Sequence, residues 1–137
     1  MTTQPNINLW FSPEHALDYL RRADTIPHRT EGEATLLEFI PASAKRILDL
    51  GSGAGRLLGI VRAANPNAEF VAVDSSPTML ENLRTNFAND PRVTVAAHDL
   101  NQALPSLGKL MPSYPALLFI ILCMSGNGAY IRKFSPR

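Results

Sequence analysis

The chain has 137 residues, 45% of them hydrophobic, and 13 basic against 12 acidic residues give a net charge of +1. This length suits one domain, and the balanced charge gives no indication of nucleic-acid binding or of an acidic membrane partner. A single cysteine, Cys123, excludes an intrachain disulfide and disfavours a cysteine-based zinc site, so we expect no metal. The N-terminus lacks the features of a signal peptide, and the longest apolar run is too short to span a bilayer, so we expect a cytoplasmic protein.

Residues 1–44 are predicted to form an N-terminal helical segment. Ser12-Pro13 combines a capping hydroxyl with a proline at the first helical position, which is typical of a helix start. Asp24–Thr30 is interpreted as a loop. A second helix is expected over Glu31–Ile40 and ends before Pro41.

From Lys45 onward, predicted strands alternate with predicted helices. The strands are expected at Lys45–Leu50, Glu69–Val73 and Arg92–Ala97, and the helices at Ala54–Ala64 and from Ser76 to about Ala88. This alternation indicates a mainly parallel, doubly wound α/β sheet with right-handed crossovers.

The most informative segment is the turn that follows the first strand. Asp49 ends the strand, Gly51, Gly53 and Gly55 follow at alternate positions with Ser52 among them, and a helix begins. Glycines allow a ligand to approach the backbone closely, and the following helix directs free N–H groups toward it. The order predicts a site for a nucleoside-type cofactor.

Acidic residues stand at the ends of all three predicted strands. They are Asp49, Asp74 (followed by Ser75) and Asp99. Any one of them alone is more readily explained as a helix cap than as a ligand-binding residue. Because the carboxyl ends of parallel strands meet at one edge of a sheet, where cofactors bind, the three together indicate a binding site.

Two common nucleotide motifs are absent. The dinucleotide fingerprint Gly-x-Gly-x-x-Gly, counted from Gly51, requires glycine where Arg56 stands. The Gly-Lys-Ser/Thr of a Walker-type phosphate loop does not occur.

The segment Arg46–Pro105 resembles the class I S-adenosylmethionine-dependent methyltransferases. Ile47–Arg56 is similar to their first motif, Phe70–Leu80 to their second, and Val93–Leu100 to their third strand with its adenine-side acid. The resemblance implies a Rossmann-like fold, S-adenosyl-L-methionine as the cofactor, and transfer of its sulfonium methyl group to an acceptor.

The resemblance also implies roles for individual residues. The backbone around Gly51–Gly53 would receive the cofactor carboxylate, and Asp49 would accept from its ammonium. Asp74 would accept from both ribose hydroxyls, while Asp99 and the backbone of Leu100 would contact adenine. The expected cofactor-binding residues at the strand ends are Asp49, Gly51, Ser52, Gly53, Gly55, Asp74, Ser75, Asp99 and Leu100.

The N-terminal segment has a weaker similarity to the same family. Ala23–Arg29 and Glu31–Glu33 resemble N-terminal elements of some members. Arg29, with His28 beside it, is a candidate for a place near the methionine carboxylate or the acceptor. A solvated surface pair is the competing interpretation.

After Lys109 the resemblance stops. Pro112 and Pro115 remove strand donors, and the pattern of Ala116–Met124 does not decide between strand and helix. We therefore expect the sheet to end after the third strand, with the C-terminal half of the family fold absent and one sheet edge unpaired.

A shift of reading frame would explain this change. With permitted codons, one base inserted after the codon for Leu110 lets the following bases read Leu-Asp-Ala-Val-Val-Ser, a typical fourth strand of the family. We hypothesise a βαβαβ half over residues 45–109 that binds S-adenosylmethionine (SAM), and an atypical, out-of-frame tail over residues 110–137. A naturally divergent C-terminus is the alternative.

The sequence thus predicts a methyltransferase acting on a small-molecule or otherwise unidentified acceptor. It indicates no catalytic base and no oligomeric state. An inactive or truncated SAM-binding fragment is the alternative, and a nicotinamide-dependent oxidoreductase is disfavoured by Arg56.

Overall fold

The computed structural model describes residues 11–25, 29–103, 118–123 and 129–134. Its elements in chain order are α1 (Pro13–Arg22), a 3₁₀ turn (Ala23–Thr25), α2 (Arg29–Phe39), β1 (Arg46–Leu50), α3 (Arg56–Ala64), β2 (Glu69–Asp74), α4 (Pro77–Asn86), β3 (Val93–Ala97), β4 (Leu118–Cys123) and β5 (Ala129–Phe134). Within these ranges no helix has both the length and the apolar character needed to cross a bilayer.

The predicted elements before residue 100 are confirmed to within about two residues at most ends. Part of the expected loop over Asp24–Thr30 is instead helical, because α2 begins at Arg29. α1 and α4 begin as the sequence predicts: the side chains of Ser12 and Ser76 each accept from the backbone N–H group of the third residue of the helix, and a proline follows each serine.

The strands form one sheet in the order β3-β2-β1-β4-β5. β1 pairs in parallel with β2 and with β4, and β2 pairs in parallel with β3. β5 returns antiparallel to β4. The mainly parallel α/β class expected from the sequence is therefore confirmed, with β1 at the centre of the sheet.

The expectation that the sheet ends after the third strand is wrong. β4 pairs with β1 over its length, from Arg46 opposite Leu118 to Leu50 opposite Leu122. Pro112 and Pro115 precede β4 in the sequence, so all six residues of this strand keep the N–H donors that pairing requires. The segment Leu-Phe-Ile-Ile-Leu-Cys is rich in residues that favour strands, and it occupies the edge of β1 that was expected to stay unpaired.

One face of the sheet packs against α2, α3 and α4. Ile47 of β1 and Phe70 of β2 are buried there together with Leu36, Leu58 and Leu83 from the three helices. This packing fixes the carboxyl ends of β1 and β2 relative to the helices that follow them.

The amino ends of the strands are held by an ion pair. Arg62 of α3 donates to both carboxylate oxygens of Asp90, at 2.8 and 3.3 Å, and to the carbonyl oxygen of Pro66 at 3.0 Å. The hydrogen bond from Arg62 is the main reason that the pKa of Asp90 is held below its usual value. The pair ties the end of α3 to the loop that enters β3.

Candidate cofactor site

The glycine-rich turn after β1 is left-handed at three positions. Gly51, Gly53 and Gly55 have φ angles of 74°, 57° and 90°. Residues other than glycine adopt such backbone angles only at a cost in free energy. This cost explains why glycine stands at every second position of the turn.

Gly55 has a further role that the sequence did not reveal. A Cβ atom at this position would lie 2.4 Å from Cε2 of Phe87 and 2.7 Å from Cδ1 of Leu83. At Gly53 the nearest such atom is Sδ of Met79, at 3.9 Å, which is ordinary contact. The third glycine therefore lets the end of α4 pack directly on the turn.

The backbone amides of the turn donate within the protein. The N–H groups of Gly51 and Ser52 donate to the carbonyl oxygen of Val73, at 2.8 and 3.0 Å. The N–H group of Gly53 donates to Oδ2 of Asp74 at 2.9 Å. These three hydrogen bonds hold the turn against the end of β2, and the expected role of the amides toward the cofactor carboxylate stays a prediction.

Asp74 joins the turn to the start of α4. Its Oδ2 accepts from Gly53, and its Oδ1 accepts from the N–H group of Ser76 at 2.8 Å. The side chain is almost completely buried. Each carboxylate oxygen has lone pairs for more than one donor, so these bonds leave capacity for ligand hydroxyl groups.

Asp49 is the most unusual group of the site. It is 0% exposed, and its Oδ2 accepts from Oγ of Ser52 at 2.8 Å. Its Oδ1 is buried and has no hydrogen-bond partner in the described part of the chain. Burial raises the pKa of Asp49 to about 7, against the opposing effect of the Ser52 hydrogen bond, and the charge of Asp74 raises it further.

The end of β3 is attached to the same edge through backbone contacts. The N–H group of His98 donates to the carbonyl oxygen of Asp74 at 3.0 Å. Oδ1 of Asp99 accepts from the backbone and side-chain nitrogens of Asn101, both at 2.9 Å. Leu100 is 44% exposed. Asp99 thus stabilises its own turn at the place where the sequence predicts the adenine side of the site.

His98 was not among the expected site residues. Its Nε2 is buried and has no hydrogen-bond partner within the ranges that the structure covers. It lies one residue after β3, directly before Asp99.

The remaining predicted residues are placed only in part. Ser75 is half-buried between Asp74 and the cap of α4. Arg29 is the first residue of α2, but its side chain, like all of His28, lies outside the described residues.

The structure also shows an ion pair beside the turn that the sequence pattern did not predict. Nε and Nη2 of Arg56 donate to the two carboxylate oxygens of Glu33, at 2.8 and 3.3 Å. The residue that breaks the dinucleotide fingerprint therefore joins α2 to the first turn of α3. The sequence contained both residues but no signal that they meet.

The geometry brings together a glycine turn and two nearly adjacent carboxylates at the carboxyl edge of a parallel sheet. Such an edge accepts hydrogen bonds from a ligand, and the amides that would cradle a phosphate are already engaged. In the described residues, no group of three or more His, Cys, Asp or Glu side chains could hold a metal ion.

The fold is that of the class I S-adenosylmethionine-dependent methyltransferases, a family that the sequence also resembles. Residues 47–111 match the family described as a methyltransferase domain. The match ends close to Lys109, where the resemblance in the sequence also stops.

Two curated relatives have similar sequences. A trans-aconitate 2-methyltransferase from Methylobacterium radiotolerans is 39% identical over 72 residues, covering 52% of this chain and 26% of the relative. A malonyl-[acyl-carrier protein] O-methyltransferase from Laribacter hongkongensis is 36% identical over 87 residues, covering 56% of this chain and 29% of the relative. The chain thus spans little more than a quarter of the length of each.

Solved structures share the fold at lower identity. The mitomycin 7-O-methyltransferase superposes with a TM-score of 0.58 and 17% identity, covering 83% of this chain and 41% of that protein. Human N-acetylserotonin methyltransferase, solved in complex with SAM, gives a TM-score of 0.55 and 19% identity, covering 71% of this chain and 28% of that protein.

Proposed function

We propose that the carboxyl edge of the sheet binds S-adenosyl-L-methionine, and that the protein takes part in transferring the sulfonium methyl group of this cofactor to an acceptor. The observation that carries this proposal is the buried, unpartnered Oδ1 of Asp49 beside a turn whose amides are engaged. A buried carboxylate without a cation is costly, so the site favours a ligand that brings a positive charge.

The donors of the proposed cofactor suit the acceptors of the site. S-adenosyl-L-methionine carries an ammonium group, two ribose hydroxyls and an adenine amino group. Asp49 would hold the ammonium, Asp74 the ribose and Asp99 the adenine, as the family resemblance implies. Methyl transfer then depends mainly on positioning, because the bound sulfonium supplies the activated methyl group.

A nicotinamide dinucleotide suits the site less well. Its pyrophosphate needs free backbone donors, whereas the N–H groups of Gly51, Ser52 and Gly53 are used by Val73 and Asp74. This arrangement supports S-adenosyl-L-methionine over the dinucleotide.

The acceptor remains a matter of proposal. The two curated relatives are named for trans-aconitate and for malonyl-[acyl-carrier protein], both of which carry a free carboxyl group. A small carboxylic acid is therefore the first class of acceptor to test. The cytoplasmic location and the out-of-frame origin of residues 110–137 stay predictions, and the DNA sequence across the codons for Lys109–Met111 tests the latter.

Calorimetry with S-adenosylhomocysteine and with NAD tests the cofactor. We expect the first to bind and the second not to bind. Asp74→Asn should weaken binding by about 10- to 100-fold, which corresponds to about 1.5–3 kcal/mol for a hydrogen bond to a charged group. Asp18→Asn, a change on the outer face of α1, is the control and should bind as the wild type does. Tighter binding of NAD would refute the proposal.

A further inference from the structure

We propose that Asp49 holds a proton in the unliganded domain and releases it to solvent when the cationic end of the ligand enters. This inference rests on the proposed function. It makes cofactor binding a proton-releasing event, and it predicts an affinity that depends on pH.

The geometry of the carboxyl group gives the first reason. Asp49 is fully buried at the centre of the sheet, and only one of its oxygens has a partner, Oγ of Ser52 at 2.8 Å. A charged carboxylate in such a place lacks both water and a compensating cation. The neutral acid avoids that cost, so the unliganded site favours the protonated form.

The neighbouring groups do not supply the missing positive charge. From β2, Asp74 contributes a second negative charge. On β4, the residue in register with Asp49 is Ile121, which is not ionisable. From α3, Arg56 directs its guanidinium to the carboxylate of Glu33. From α4, the residues nearest to the turn are Met79 and Leu83, which carry no charge. At the end of β3, Nε2 of His98 is buried and makes no hydrogen bond among the described residues, so it does not pair with Asp49. In the described residues no ion pair involves Asp49.

An ammonium group next to Oδ1 reverses this balance. The O–H bond of Asp49 breaks, its proton passes to water, and the carboxylate that remains is neutralised by the ligand cation. Burial raises the pKa of Asp49 to about 7. Ligand binding near neutral pH therefore converts the protonated acid into the charged carboxylate. Affinity should therefore rise about tenfold between about pH 6 and about pH 8, as expected when one proton is released.

Calorimetry with S-adenosylhomocysteine tests the inference. Titrations at about pH 6, 7 and 8, each in buffers of different ionisation enthalpy, measure the number of protons released. We expect a release that approaches one proton at the acidic end and fades above about pH 8. Asp49→Asn should bind more weakly with no proton release, whereas Asp18→Asn should release protons as the wild type does.

A second measurement does not depend on the variant. Carbon-13 NMR of the wild-type protein should show one aspartate carboxyl that is neutral near pH 6 and becomes charged when S-adenosylhomocysteine is added at the same pH. Binding without proton release, release that persists in a folded Asp49→Asn, or no such resonance would overturn the inference and leave the proposed function in place. Failure of the wild type to bind S-adenosylhomocysteine at all would overturn both.

Discussion

Two aspartates at opposite ends of the same sheet have opposite surroundings. At the amino end, Asp90 accepts two hydrogen bonds from Arg62 and another from the N–H group of Arg92, and its pKa is lowered. At the carboxyl end, Asp49 is buried beside Asp74 with one oxygen unpartnered, and its pKa is raised to about 7.

The contrast separates stability from binding. The carboxylate of Asp90 is satisfied within the protein, so its contacts stabilise the fold without any ligand. The carboxyl group of Asp49 is left partly unsatisfied, which is typical of groups that complete their contacts with a ligand. Variants at each end of the sheet should therefore differ in whether stability or affinity changes.

The largest effect is expected from Gly55→Ala in the turn at the carboxyl end. The new Cβ would meet Phe87 and Leu83 at less than normal contact distance, and φ is +90°. We expect a loss of about 2–5 kcal/mol in the free energy of unfolding, from left-handed strain and overpacking together. Urea denaturation measures it.

The matched control is Gly32→Ala in α2, where nothing lies within 4 Å of the added Cβ. That variant should gain about 0.5–1 kcal/mol, because alanine favours a helix more than glycine does. Equal effects at the two glycines would show that contact with α4 does not fix the turn.

An intermediate effect is expected from Asp49→Asn in the unliganded protein. A carboxyl group with a raised pKa loses stabilisation as pH rises from its unfolded pKa, about 4, toward its folded value of about 7. The variant lacks this titration. At pH 8 its free energy of unfolding should be about 1–3 kcal/mol higher than that of the wild type, because the wild type bears the cost of an unpaired buried charge.

Thermal or urea denaturation across this pH range provides the check. The advantage of Asp49→Asn should shrink as pH falls and disappear near pH 4. A wild-type stability that stays flat between these limits, relative to the variant, would contradict the raised pKa.

The smallest effect is expected from Arg62→Ala at the amino end. The ion pair with Asp90 is partly exposed, with side-chain exposures of 23% and 22%, so we expect a loss of about 1 kcal/mol at pH 7. Since the pKa of Asp90 is lowered in the folded state, its contribution is complete above the unfolded pKa, about 4, and is lost as pH falls further.

Two readouts test this variant. The difference between wild type and Arg62→Ala should shrink in acid, and the affinity for S-adenosylhomocysteine should stay within about twofold because the pair lies at the other end of the sheet. A large loss of affinity would show that contacts at the amino end of the sheet also affect ligand binding, which would contradict the contrast between the two ends.

Local patterns accounted for most of the first three strands and their helices. The Ser-Pro helix starts at residues 12–13 and 76–77 can be recognised without a structure, because capping depends on neighbours in sequence. The same holds for the turn at Gly51–Gly55, whose left-handed angles require glycine. β4 was not recognised, because a short apolar run has no periodicity and its pairing with β1 is decided by contacts far away in sequence.

The sequence by itself determined the α/β class, the glycine turn and the acids at the strand ends, since each depends on residue type and local spacing. Only the tertiary structure decided what these groups contact. It turned the amides of the turn toward β2, packed α4 on Gly55, paired Arg56 with Glu33 and buried Asp49 beside Asp74. These outcomes depend on burial and on partners distant in the chain, which no local pattern encodes.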